Sequence, residues 1–324
     1  VSDKYWKYWL LFALPGCLLW SCEHKGTSHH IDAVLWTAAW SPDGHTIAMG
    51  GNHDSLRLFS GDTYRLTSNR PVPGTITKLK WHPTEGRLAI ATQTSGQQPG
   101  TFNPDTGEIS FLNGTSELGS RGIGWNHDGT LLAVGDLDAK LHIFSIQGEL
   151  LQTVDTEQKG ITGLSWHPKK NLIVAVGEYI SAYDYETDSL SSIISRPEEV
   201  LMLSVAWHPS GNFFVTGDYG DNFKPLPPLL QFWTEEGVKI RSINMSLKEY
   251  RNICWSHDGR FLATASDALR IWTSEGELLH TGSSDNLLWG VDWSPDDRHI
   301  VTTDIGGRAF VWTKEAKKVR ELVH

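Results

Sequence analysis

Seven times along the 324-residue chain a short apolar run ends on a tryptophan and gives way to a polar turn: Trp40, Trp81, Trp125, Trp166, Trp207, Trp255 and Trp293. The turns include Ser41-Pro42-Asp43-Gly44, His167-Pro168-Lys169, Ser256-His257-Asp258-Gly259 and Ser294-Pro295-Asp296-Asp297. Successive tryptophans stand 41, 44, 41, 41, 48 and 38 residues apart. Self-similarity at that period marks an array of small β units stacked on one another. Seven copies over residues 34–324 leave no room for a second domain.

The sixth repeat shows the unit most clearly. Tyr250–Trp255, Arg260–Ala265, Ala268–Thr273 and Glu277–Thr281 read as four strands, each rich in β-branched or aromatic residues and bounded by Gly, Asp or Ser turns. Third strands in the seven repeats close on Phe59, Phe102, Phe144, Tyr183, Trp233, Trp272 and Trp312. A lone four-stranded meander cannot bury both its faces, whereas radial stacking lets each sheet pack on two neighbours and leaves only short edges. The chain is therefore read as all-β, a seven-bladed β-propeller of four-stranded antiparallel blades. In the first strands the tryptophan and the residue two before it are large and apolar, while alternate positions are mostly small, as at Gly122 and Gly124. Period-two alternation places these sets on opposite faces. Lys318–Val323 can serve as the fourth strand of the last blade, in which case the ring shuts by packing, the favoured route; the alternative is that residues before Val34 add a strand to that blade.

The run Trp40-Ser41-Pro42-Asp43-Gly44 with its six variants, and the pairs Trp233-Thr234, Trp272-Thr273 and Trp312-Thr313, resemble the WD-repeat family over residues 30–324. No third strand ends in Trp-Asp, and the Gly-His pair usual before the first strand is missing, so the hydrogen-bond network those residues support in the family is not expected whole. The resemblance implies a non-catalytic scaffold that binds a protein or peptide partner on the channel face.

Composition narrows the partners. With 28 Lys plus Arg against 38 Asp plus Glu, the net charge of −10 gives no broad electrostatic footprint for nucleic acid. Residues 1–22 form a leader in which Lys4 and Lys7 precede an apolar stretch from Tyr8 to Trp20, and residues 23–33 read as a polar tether. That stretch is shorter than the roughly 20 residues a spanning helix needs. Its end resembles a bacterial lipoprotein signal, with Cys22 the expected lipidation site and Cys17 the alternative. The expectation is a membrane-anchored protein on the periplasmic or extracellular side, the alternative a soluble cytoplasmic scaffold.

Candidate site residues follow from breaks in the repeat. The repeat tryptophans are expected in the core, since burying an indole removes roughly 150–250 Å² from water. Trp36 and Trp289 differ, each standing four residues before a repeat tryptophan; Arg121 and Arg251 occupy the same position in other blades. This position falls at the rim of the central channel, and Trp and Arg dominate binding hot spots. The fifth blade carries an insertion from Asp218 to Pro228, in which Tyr219, Phe223 and Lys224 are further candidates. Asp54, Asp136, Asp138, Asp218, Asp221, Asp267 and Asp304 lie in turns on the same face, which would make it acidic and favour a basic partner segment. His82, His127, His167, His208 and His257 recur in the first turns at blade spacing, too far apart to share an ion, and are read as turn hydrogen-bonders. No metal or cofactor is expected. Cys254 reads as buried in an inner strand. Serine-hydrolase, zinc-peptidase and phosphate-loop motifs are absent from the sequence, so the protein is read as a binder and not an enzyme; a small-ligand or enzymatic use of the channel is the alternative.

Overall fold

A computed structural model describes residues 34–322 apart from 53, 95, 197, 222 and 223. The leader, the tether, Cys17, Cys22 and Phe223 lie outside the described residues. Seven antiparallel sheets of four strands each run in chain order from the inside outwards, and no helix occurs among the described residues. The inner strands of blades 1 to 7 are Leu35–Trp40, Thr75–Trp81, Ser120–Trp125, Gly163–Trp166, Met202–Trp207, Asn252–Trp255 and Leu288–Trp293. Each packs beside the inner strands before and after it, and that of blade 7 lies against that of blade 1. The last outer strand, Lys318–Leu322, pairs with Ala309–Thr313 of its own blade. Among the described residues the ring shuts by packing, with Leu322 buried in one cluster with Leu35 and Ile47 of blade 1.

The core consists of seven apolar seams, most of them joining side chains of neighbouring blades. Six of the seven repeat tryptophans are buried; Trp81 is half-buried. They also stitch the blades together. The indole N–H of Trp81 donates to Ala39 O (3.1 Å), that of Trp166 to Gly124 O (2.8 Å) and that of Trp293 to Cys254 O (3.1 Å), in each case a carbonyl of the preceding blade's side of the lumen.

The turn histidines do more than their turns require. Nδ1 of His167 accepts from Lys169 N (3.0 Å), which leaves the proton on Nε2, and Nε2 donates to Gly211 O of the next blade at 3.0 Å. His82 bonds Gly129 O (3.0 Å) and His208 bonds Gly259 O (2.8 Å) in the same way. Each of the three rings also meets the next blade's tryptophan edge-on, at 4.7–4.8 Å between centroids. Part of the WD-type network survives within blades: the Trp233, Trp272 and Trp312 indoles donate to the hydroxyls of Thr216, Thr264 and Thr302 at 3.0, 3.0 and 2.8 Å.

Candidate functional site

Strict alternation would send the residue four before each repeat tryptophan into the seam between blades. A β-bulge prevents this. Leu35 pairs with Gly51 and Thr37 with Gly50, so Trp36 is an extra residue on its strand. Thr77, Arg121, Leu203 and Trp289 are extra residues in the same way. The slip inverts the phase of the strand: Leu35, Ile76, Met202 and Leu288, five before their tryptophans, go into the core at 0–1% exposure. A bulge re-aims the residue it carries, and here it turns that residue into the lumen.

Three of these side chains, Trp36, Arg121 and Trp289, meet there with Arg251, which stands just before its inner strand Asn252–Trp255 and carries no bulge in the pairing. The Trp36 and Trp289 rings pack edge-to-face with centroids 4.8 Å apart. The Arg251 guanidinium lies 4.1 Å from the Trp289 ring centre and 6.0 Å from that of Trp36, and the Arg121 guanidinium lies 5.0 Å from Trp36. These residues come from blades 1, 3, 6 and 7, so their contacts between non-neighbouring blades must cross the lumen. Trp36 Nε1 donates to Asn52 Oδ1 (2.6 Å), Arg121 Nε to Gln93 Oε1 (2.7 Å) and Arg251 Nε to Glu249 Oε1 (3.1 Å). Burial and then the charge of Arg251 pull Arg121 down to about 9. The Trp289 indole N–H is buried and has no hydrogen-bond partner among the described residues. The cavity between these groups, floored by Lys78 and Asn252, amounts to about 50 Å³.

Below the mouth lies a second tier that the sequence reading did not single out. Lys78 Nζ of blade 2 bonds Asn252 Oδ1 of blade 6 across the lumen. Asp292 of blade 7 accepts from Trp40 N (2.7 Å) and from the Cys254 thiol (3.1 Å). Cys254, read as buried in an inner strand, is partly buried there, packed against the seam of blades 6 and 7 with its thiol turned to Asp292. Burial followed by the Asp292 charge pushes its thiol up to about 12. The signal for this tier was present: Lys78, Lys80, Asn252, Cys254 and Asp292 stand one or three before a repeat tryptophan, where other blades carry Gly, Ala, Ser or Thr.

The fifth-blade insertion does not join the cluster. Its organiser is Asp218, which accepts from Gly220 N and Leu229 N (2.9 Å each) and from Arg196 Nη1 (3.1 Å), while Asp221 bridges to Leu226. Tyr219 is half-buried and Lys224 exposed, and neither lines the cavity. Most of the aspartates expected to make this face acidic also serve their own turns. Asp136 holds Ser116 N, Asp138 N, Lys140 N and His142; Asp267 holds Arg270; Asp304 holds Gly306 N and Arg308. Although burial opposes its ionisation, the bonds from Arg270 and Ser246 hold Asp267 down to about 2. Among the described residues no group of three or more His, Cys, Asp or Glu is placed to hold a metal ion.

Fold and site together define a seven-bladed propeller of the WD-repeat type whose lumen mouth is closed by crossed aromatic and cationic side chains. A family model described as WD domain, G-beta repeat, matches residues 276–313, the outer strand of blade 6 and three strands of blade 7. The model for eukaryotic translation initiation factor eIF2A matches residues 125–289, just over half of the chain, and the chain belongs to that family.

Proposed function

We propose that the protein is a non-catalytic interaction scaffold that captures a protein or peptide partner at the lumen mouth through Trp36, Arg121, Arg251 and Trp289. The observation that carries this reading is the convergence of two indoles and two guanidiniums from separate blades, three of them re-aimed by bulges. Aromatic and arginine anchors of this kind dominate the energetics of protein interfaces. Tyr219 and Lys224 of the fifth-blade insertion are further contact candidates outside the cavity, as is Phe223, which lies outside the described residues. A small-ligand or enzymatic use of the channel is disfavoured by space: about 50 Å³ is far below the ~300–1,000 Å³ of ligand pockets.

The partner is tested by placing a photo-crosslinker at Lys224, on the mouth side, and at Lys169, in a turn at the opposite end. A partner adduct from Lys224 alone, lost when Trp36, Arg121, Arg251 and Trp289 are all changed to Ala, is the expected result. The variant should keep its melting temperature to within a few degrees, because these side chains project from the core seams. Collapse of the fold in that variant would mean that they are structural and would remove this reading.

Where the scaffold acts is a separate proposal. The leader favours a lipid anchor on Cys22, or Cys17, outside the cytoplasm. The family match, to a model described as a eukaryotic translation initiation factor, favours a second reading, a soluble scaffold working with the translation apparatus. Mass spectrometry of the mature N-terminus decides between them. An acylated cysteine supports the anchor, and an unmodified N-terminus in the soluble fraction supports the second reading.

A further inference from the structure

Each blade presents its fourth strand as an open edge, and such edges are ordinarily blunted by charge or proline. Leu66–Pro71 carries Arg70 and Pro71, Lys239–Ile243 carries Lys239 and Arg241, and Lys318–Leu322 carries Lys318, Arg320 and Glu321. The outer strand of blade 4, Ser189–Ile193, has no charge and no proline. It ends its sheet, pairing only with Ile180–Asp184 among the described residues. Leu190 within it and Ile194 just beyond it are exposed, Ile194 at 79%.

Beside this edge the blade is hollowed. Ser191 pairs with Ala182, and Ala182 faces the seam with blade 5. At the corresponding pair blades 3, 5, 6 and 7 have Ile143 with Gln152, Phe232 with Arg241, Ile271 with His280 and Val311 with Arg320. Blade 2 shares the short pair, Thr101 with Ser110, but on an edge strand of four residues that begins with Glu108. In blade 4 two small side chains replace a bulky and a long one, and a groove of about 380 Å³ opens between blades 4 and 5. Leu172, Ala182 and Ile193 make it apolar, while Asp184 and Glu236 line it with the ion pair of Lys170 and Glu235. Since Lys170 is held by Glu235, two carboxylates remain in excess.

We propose that an extended basic segment of a partner protein adds to blade 4 as a fifth strand, paired to the free edge of Ser189–Ile193, with a lysine or arginine laid along the groove. Backbone pairing supplies the affinity of such an addition and alternate side chains supply its specificity. A long basic side chain suits the groove because its methylenes cover Leu172, Ala182 and Ile193 while its head reaches Asp184 and Glu236. The net charge of −10 draws a segment of that sign. This surface is separate from the lumen mouth and does not depend on it.

The test uses the full chain and a fluorescent peptide, acetyl-Thr-Lys-Val-Lys-Val-Thr amide, with two twins, one bearing glutamate for lysine and one bearing proline for the first valine. The lysine peptide should bind saturably by anisotropy and slow hydrogen exchange at residues 189–193, and both twins should bind at least about tenfold more weakly. Glu236→Lys, at an exposed position, should weaken the lysine peptide about tenfold, and Ala182→Leu, which fills the groove, should abolish its binding. If Ala182→Leu melts early, Ser191→Lys blocks the edge instead. The variant with Trp36, Arg121, Arg251 and Trp289 all changed to Ala should bind the peptide as before; loss of binding there would move the peptide to the mouth and overturn the groove. Equal binding of the lysine and glutamate peptides, or binding of neither, overturns the proposal. Indifference to the proline overturns strand addition, and slowed exchange elsewhere than 189–193 overturns the place. A dimer of the protein alone that Ser191→Lys dissolves overturns the partner in favour of a second copy of this chain.

Discussion

Lys78 and Lys80 stand two residues apart on one face of one strand and meet opposite fates. Burial and the charge of Lys80 pull Lys78 down to about 7, whereas Asp292 holds Lys80 above its ordinary value although burial works against it. Burial weighs on both amines, and the Asp292 charge offsets it for Lys80 but not for Lys78. The same carboxylate governs Cys254, whose thiol is pushed up to about 12 by burial and then by Asp292. The thiolate is the species that alkylates, so Cys254 should be inert to iodoacetamide at pH 8 in the folded protein and react once denaturant is added. Peptide mapping reads this directly; labelling of the folded protein at the rate of a free thiol would refute the arrangement. At this scale little was legible in advance. The tryptophans and arginines of the mouth stood out as departures from the repeat, but the lysines and the aspartate sat in positions classed as small, and a cross-lumen bond links residues up to 174 positions apart.

At the scale of the element, the inner strand turns a residue into the lumen through a bulge, and in every blade but the third, where Ser120 stands, an apolar residue lies five before the tryptophan. That residue enters a gap kept open by the preceding blade. A β-carbon on Gly135 would come within 2.4 Å of Ile161, one on Gly50 within 2.6 Å of Ile76, and one on Gly217 within 2.5 Å of Tyr250. Gly135→Ala should therefore destabilise the fold by about 1–3 kcal/mol through overpacking, and adding Ile161→Ala should recover part of the loss. Chemical denaturation of the two variants checks this, additive losses being the result that contradicts the fit. The bulge was readable and went unread. Leu35, Ile76, Ile161, Met202, Tyr250 and Leu288 are apolar, three positions before the next apolar site instead of two, which is the signature of a phase slip. Blade number, strand order and the strand-three aromatics came through plainly because they repeat. The fifth-blade insertion was visible as a change of spacing, but not its anchoring on Arg196 and Asp218, because no local pattern pairs residues across that loop.

Taken whole, the molecule is held by seams between blades, and several seams depend on neutral histidine. His167 and His208 are both lowered, by burial first, with their Nε2–H bonds to the next blade opposing the shift. A base whose folded value lies below its free value of 6.5 is protonated more readily when unfolded, so its contribution is complete above pH 6.5 and is lost as pH falls towards the folded value. The melting temperature should consequently decline as pH falls from 6.5 towards 5, with a flatter slope in His167→Gln combined with His208→Gln. A slope unchanged by the pair of substitutions would assign the acid sensitivity elsewhere.

The seam that joins the last blade to the first is an apolar seam like the other six, although its Trp40 indole bonds Gly44 O of its own blade. It holds a tryptophan, an inner-strand hydrogen bond from Trp40 N to Asp292 and a buried leucine, and no strand is shared across it. A gene opened at any linker between blades and rejoined across this seam would encode the same ring. Descent by tandem duplication would likewise have met no special step at closure, and gain or loss of one unit of about 40 codons would alter the girth of the lumen, and with it the set of side chains able to reach across.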